Sequence, residues 1–164
     1  MAEKEESKLE VLKEKYKSVQ EKHGLPSFEE LNEDFNIEKA TEPETEILIR
    51  EIRKYVGDKI FNYMRFIESL LNPVNAPMFT LSIVKLLNVE ERKKLEDIYK
   101  EMMKSEVAFI KLDLEFSEEK EAQFIKDSCE FWKRIKIDLL EILGKIDSRW
   151  DDEKIEINNK GYFG

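Results

Sequence analysis

Residues 41–73, TEPETEILIREIRKYVGDKIFNYMRFIESLLNP, carry apolar side chains at a single spacing from end to end. Leu48, Ile52, Val56, Ile60, Tyr63, Ile67 and Leu70 recur at steps of three and four, and Ile49, Met64 and Leu71 widen the stripe. That period is the signature of a helix with one buried face. Thr41 and Glu44 form a capping-box pattern at its start, and Asn72-Pro73 ends it because Pro restricts the residue before it. Gly57 sits mid-helix, where it costs about 1 kcal/mol against Ala. Its presence there marks an expected close helix crossing.

Working outward, the same period recurs on both sides. Leu9, Leu12, Tyr16 and Val19 predict a first helix over residues 7–23, closed by Gly24 and Pro26. Ser27 and Glu30 form a second capping box, opening a short helix with Phe28, Leu31 and Phe35 on one face. Asn88 and Glu91 form a third, followed by Leu95, Ile98, Tyr99, Met102, Val107 and Ile110. A last helix carries Phe124, Cys129, Trp132, Ile135, Leu139, Ile142 and Ile146, with Ser117 as its expected cap. Gly144 is no terminator, because Ile146 and Trp150 continue the stripe past it.

Residues 110–117 read both ways. IKLDLEF alternates as a strand would, and no Gly or Pro lies between Pro77 and Gly144. Residues 90–148 are therefore either two helices or one, and a single helix of that length would need a dimer to cover its seam. We favour two. The expected fold is mainly α, an antiparallel bundle of three long helices plus shorter N-terminal and connecting helices. It is expected to occupy residues 1–150 as one domain, with residues 151–164 as an extended or disordered tail.

Composition agrees with this fold. The chain has 164 residues, 41% of them apolar and 40% charged, with only five Gly and four Pro. That is too little turn chemistry for an all-β fold, and too much apolar content for a disordered chain. The net charge of −9 opposes non-specific binding to nucleic acid or anionic membranes. Residues 69–84 are uncharged, but two prolines and two asparagines break a run that falls short of the roughly 20 residues of a membrane span. Met78, Phe79, Leu81, Ile83, Val84, Leu86 and Leu87 instead predict a short helix enclosed on nearly all sides. The single cysteine allows no internal disulfide, and MAEKEESKLEVLKEK has no apolar run of a signal peptide, so the expected compartment is the cytoplasm.

Catalytic sets are missing from the sequence. His23 is the only histidine, which leaves a di-iron bundle, a His-rich zinc site and a Ser-His-Asp triad without their parts. It belongs in the last turn of a helix, where a cation suits the dipole. Cys129 lies on an apolar stripe and reads as a buried, inert thiol. The glycines never approach a phosphate-binding loop. Acidic groups such as Glu30, Glu33 and Asp34, or Asp151, Asp152 and Glu153, lack the convergent oxygen spacing of a cation site. No catalytic residue, cofactor or metal is therefore assigned. Basic groups cluster at Arg92, Lys93 and Lys94 and at Lys133, Arg134 and Lys136, the latter beside Phe131 and Trp132. Nucleic-acid binding there would require exposed rings.

What remains is apolar surface. The expected function is a non-enzymatic adaptor or regulator that binds a protein partner, or a second copy of itself, through an apolar groove or helix face. Two segments are the candidate contact sites: Phe28, Leu31 and Phe35 on the short acidic helix, and Pro77, Met78 and Phe79 at the entry to the uncharged one. The alternative is a small-molecule or lipid-binding bundle with a cavity near Met78, Phe79, Met102 and Met103.

Overall fold

The computed structural model describes the backbone of residues 2–40, 48–74 and 76–160, and the side-chain surroundings of 8–40, 48–74 and 76–150. It is mainly α, with helices packed against one another as a bundle and no strand among the described residues. The helices are α1 (Ala2–His23), α2 (Phe28–Phe35), α3 (Leu48–Leu71), α4 (Met78–Leu86), α5 (Val89–Leu114) and α6 (Glu118–Lys160). A 3-10 turn, Ile37–Lys39, follows α2. The chain forms two compact units, Met1–Asn62 with Met103–Trp132 and Tyr63–Met102 with Lys133–Gly164. Each draws on more than one stretch of sequence.

In the first unit, α1 stops where Gly24 takes φ +63°, a left-handed conformation open to glycine at no steric cost. Tyr16 is buried and donates to the Pro26 carbonyl at 2.6 Å, and burial pushes its hydroxyl pKa far up. Its ring meets Phe28 edge-on at 5.6 Å. The Ser27 box is formed in both directions: Glu30 N–H donates to Ser27 Oγ at 3.2 Å and Ser27 N–H to Glu30 Oε2 at 3.1 Å. Phe28, Leu31, Phe35 and Ile37 are all buried, with Phe35 against Trp132 of α6 at 6.1 Å. His23 lies in the last turn of α1, as its position in the sequence suggests, with Nε2 2.9 Å from Glu118 Oε1.

α3 and α5 run antiparallel in this unit, since Arg50 and Arg53 face Asp113 while Gly57 and Phe61 face Phe109. Gly57 marks the crossing. A Cβ built there would overlap the Phe109 ring, so the helix gives up intrinsic stability to seat an aromatic side chain.

The two-helix alternative holds for residues 90–148. α5 ends at Leu114 and α6 begins at Glu118. Side chains make the break that no Gly or Pro supplies. Arg50 Nη2 donates at 3.4 Å to the Asp113 carbonyl, one of the last four carbonyls of α5 that lack an intrahelical partner. Ser117 Oγ accepts from Lys120 N–H at 3.4 Å, and Glu118, Glu119 and Glu121 suit the positive end of α6.

In the second unit, the box at the start of α5 is closed by Asn88 N–H to Glu91 Oε2 at 3.0 Å and Glu91 N–H to Asn88 Oδ1 at 2.8 Å. Arg149 of α6 grips the same carboxylate with both terminal nitrogens, at 2.6 and 2.7 Å, and also donates to the Leu86 carbonyl. These bonds, those from Arg149 foremost, hold the Glu91 carboxyl below its usual range. Lys94–Asp138 and Arg134–Glu101 continue the antiparallel pairing of α5 with α6. Ile135, Leu139, Ile142 and Ile146 are buried along α6, as their spacing predicts.

Two expectations change, and a third falls on residues outside the description. α4 is not enclosed: Ile83, Leu86 and Leu87 are buried, but Met78 and Phe79 are 77% and 63% exposed. Its largely apolar sequence conceals the difference because a stripe of nine residues has too few turns to reveal a wet side. α6 continues through Lys160, so residues 151–160 are helical where an extended or disordered tail was expected. The capping box at Thr41 and Glu44 lies outside the described residues, as does Asn75, one of the two asparagines that break the uncharged run.

The Gly57 notch yields a direct prediction. Gly57→Ala should raise helix propensity yet lower stability by about 1–3 kcal/mol through overpacking. In a Phe109→Leu background the same change should be neutral or stabilising. Denaturant unfolding of the four chains measures both.

Candidate interaction surface

The second half of α5 is the most unusual surface element, and its orientation is set from inside. Arg53, fully buried on α3, donates through Nη1 to the Phe109 carbonyl at 3.1 Å and through Nη2 to Asp113 Oδ1 at 2.5 Å. Its guanidinium stacks on the Phe109 ring at 4.0 Å. Nε stands 2.6 Å from Oε2 of Glu121, which is equally buried, but off the hydrogen-bond axis. Glu121 Oε1 has no hydrogen-bond partner. Burial, the dominant influence, raises the Glu121 carboxyl pKa even though Arg53 acts against it. Arg53 acts in the same direction on the more exposed Asp113, where it prevails over burial and holds the carboxyl low. One arginine thus fastens α5 and α6 to α3 and fixes the rotation of α5.

With Phe109 and Leu112 turned inward, Met103, Val107, Ile110 and Leu114 turn out. They are 45%, 53%, 51% and 84% exposed. Their spacing of four, three and four residues places them in one row along the helix. The sequence lists Val107 and Ile110 among the core positions of α5. That stripe follows the helical period correctly into Met102 but then takes the wet face, and Leu112 is the residue that is buried. The missing signal was Arg53, whose bonds are long-range.

Beside this row, α5 and α6 enclose an apolar groove of about 500 Å³ within the first unit. Ala108, Leu112, Leu114 and Phe124 form its apolar lining, while Lys111, Lys120, Glu115 and Asp127 supply its charges. Phe116 lies beyond the end of α5, half exposed, under the Arg50 guanidinium at 5.7 Å.

The sequence-derived contact residues separate into two groups. Phe28, Leu31 and Phe35 come together in the interior of the first unit, so they are available to a partner only if α2 undocks. Pro77, Met78 and Phe79 are exposed in the second unit, with Phe79 tilted against Trp150 at 5.8 Å. The expected cavity near Met78, Phe79, Met102 and Met103 is not the groove, which none of these residues lines. Met102 is fully buried.

Other candidate chemistry is placed as follows. Cys129 is buried. Trp132 is buried and Phe131 half-buried, so the Lys133 cluster lacks the open rings that base stacking needs. Lys94 is committed to Asp138 and Glu141, and Arg134 to Glu101. Among the described residues no three His, Cys, Asp or Glu side chains stand together as a metal site, and no helix is long and apolar enough to cross a membrane. Comparison with protein-family models, curated proteins and solved structures finds no match.

The buried charge network predicts a pH-dependent phenotype. Arg53→Leu strands the Glu121 carboxylate and should cost about 3–5 kcal/mol near neutral pH, with most of it recovered in Arg53→Leu/Glu121→Leu. A carboxyl with a raised folded-state pKa binds more protons folded than unfolded, so its contribution grows as pH falls. The deficit of Arg53→Leu should therefore shrink as pH approaches the ordinary value of 4.5. Urea unfolding at a series of pH values tests the sign.

Proposed function

We propose that this chain is a non-enzymatic helical interaction protein, an adaptor or regulator, that binds a protein partner through the outward face of α5 and the groove beside it. The observation that carries this reading is the exposed row Met103, Val107, Ile110 and Leu114. Apolar side chains scattered singly on a surface need no explanation, but a row at helix-seam spacing presents contiguous area. Covering it yields roughly 25 cal/mol for each Å² removed from water. The groove extends the same surface with apolar depth, the form in which amphipathic helices are commonly received. Pro77, Met78 and Phe79 are a second docking site under this proposal, on the other unit.

A small-molecule reading is favoured by one observation, the groove itself, whose volume of about 500 Å³ falls in the range of ligand sites. Native mass spectrometry of the purified chain decides its standing. A retained small-molecule mass supports it, and a bare chain counts against it.

The interaction reading predicts that Val107→Asp/Ile110→Asp leaves folding intact, since both positions face water, and abolishes partner retention. Affinity capture with wild type and variant in parallel reads this out. A species held by the wild type and lost from the variant is the expected result. Identical profiles from the two chains would remove the α5 face from consideration.

A further inference from the structure

We infer that the partner of the α5 face is a second copy of this chain, docked with its own α5 parallel to the first. The inference rests on the interaction reading above and names the occupant. Its basis is the charge on either side of the apolar row.

Taken as a heptad seam, Val107 and Leu114 occupy the first apolar position (a), and Met103 and Ile110 the second (d). The flanking e positions are then Lys104 and Lys111, and the flanking g positions are Glu106 and Asp113. One edge of the row is basic and the other acidic. The seam is bounded upstream by Lys100, the preceding a position, and downstream by the end of α5 at Leu114. Neither Glu106 nor Lys111 has an ion-pair partner among the described residues. Asp113 is held by Arg53 and Arg50 of its own chain.

This arrangement selects both partner and direction. In a parallel pair a g residue meets the e residue five positions further along the other helix. Glu106 of each copy then meets Lys111 of the other, giving two attractive contacts related by the twofold axis. In an antiparallel pair g meets g and e meets e. Centred on Val107 and Ile110, that alignment opposes Glu106 to Asp113 and Lys104 to Lys111, each twice, so every flanking contact is repulsive. A surface that is apolar in the centre, acidic on one edge and basic on the other is complementary to itself after a twofold rotation, as an isologous interface requires. The row spans only two heptads, so the association it supports is reversible and dependent on concentration.

Sedimentation equilibrium of the full chain over the micromolar range tests the inference. The wild-type mass should rise toward twice that of the chain. Glu106→Lys and Lys111→Glu should each weaken self-association about tenfold or more, because each places like charges at both symmetric contacts. Mixing the two variants should restore a dimer of wild-type affinity, as should Glu106→Lys/Lys111→Glu within one chain. Restoration in the mixture also establishes that both variants are folded. A wild-type chain that stays monomeric overturns the inference, as does tighter self-association by Glu106→Lys, the antiparallel result, or a dimer indifferent to either reversal. A monomeric wild type that still loses a different captured protein on Val107→Asp/Ile110→Asp overturns self-pairing while sustaining the interaction reading.

Discussion

The first unit is organised around a cation with no access to water. Arg53 carries its charge into the interior, and such a group is tolerated only with partners that satisfy it. It finds a carbonyl and a carboxylate on α5, a carboxylate on α6 and the face of a phenyl ring. A hydrophobic residue in its place would allow α5 to rotate until its most apolar side faced the core. Arginine forbids this, because its bonds are directional and tied to Phe109 and Asp113. The outward display of Val107, Ile110 and Leu114 is therefore a consequence of a polar interaction made on the opposite side of the same helix.

That coupling explains what a reader of the sequence can and cannot recover. The helix starts at Ser27 and Asn88 are local: cap and reciprocal carboxylate lie three residues apart, so the pattern is visible without a fold. The buried face of α6 is equally legible, because Trp132, Ile135, Leu139, Ile142 and Ile146 repeat over many turns without a competing apolar face. α5 is different. Beyond Met102 it carries two apolar faces, Phe109 with Leu112 and Val107 with Ile110, and periodicity alone does not rank them. The choice is made by Arg53, some fifty residues earlier in the chain.

The candidate surface was hidden for the same reason. The two segments that stand out in the sequence do so by composition. One of them, Phe28, Leu31 and Phe35, is spent on internal packing. The other, Met78 and Phe79, is exposed but sits on a helix of nine residues, too short for its pattern to distinguish a wet side from a dry one. The break between α5 and α6 belongs to the same class of feature. It is made by an arginine capping one end and a serine capping the other rather than by residues that restrict the backbone.

The missing side chain at Gly57 has an effect beyond local packing. Where two helices meet through ordinary ridges and grooves, neighbouring alignments a turn apart resemble one another, and sliding is opposed only by imperfect fit. Phe109 fits α3 at one height because only one residue there leaves room for it. A slip of about 5.4 Å, one helical turn, would drive the ring into a side chain on either side. The glycine acts as a detent. It makes the axial position of α5 discrete, so that whatever the outer face of that helix engages is presented at one fixed height as well as one fixed angle.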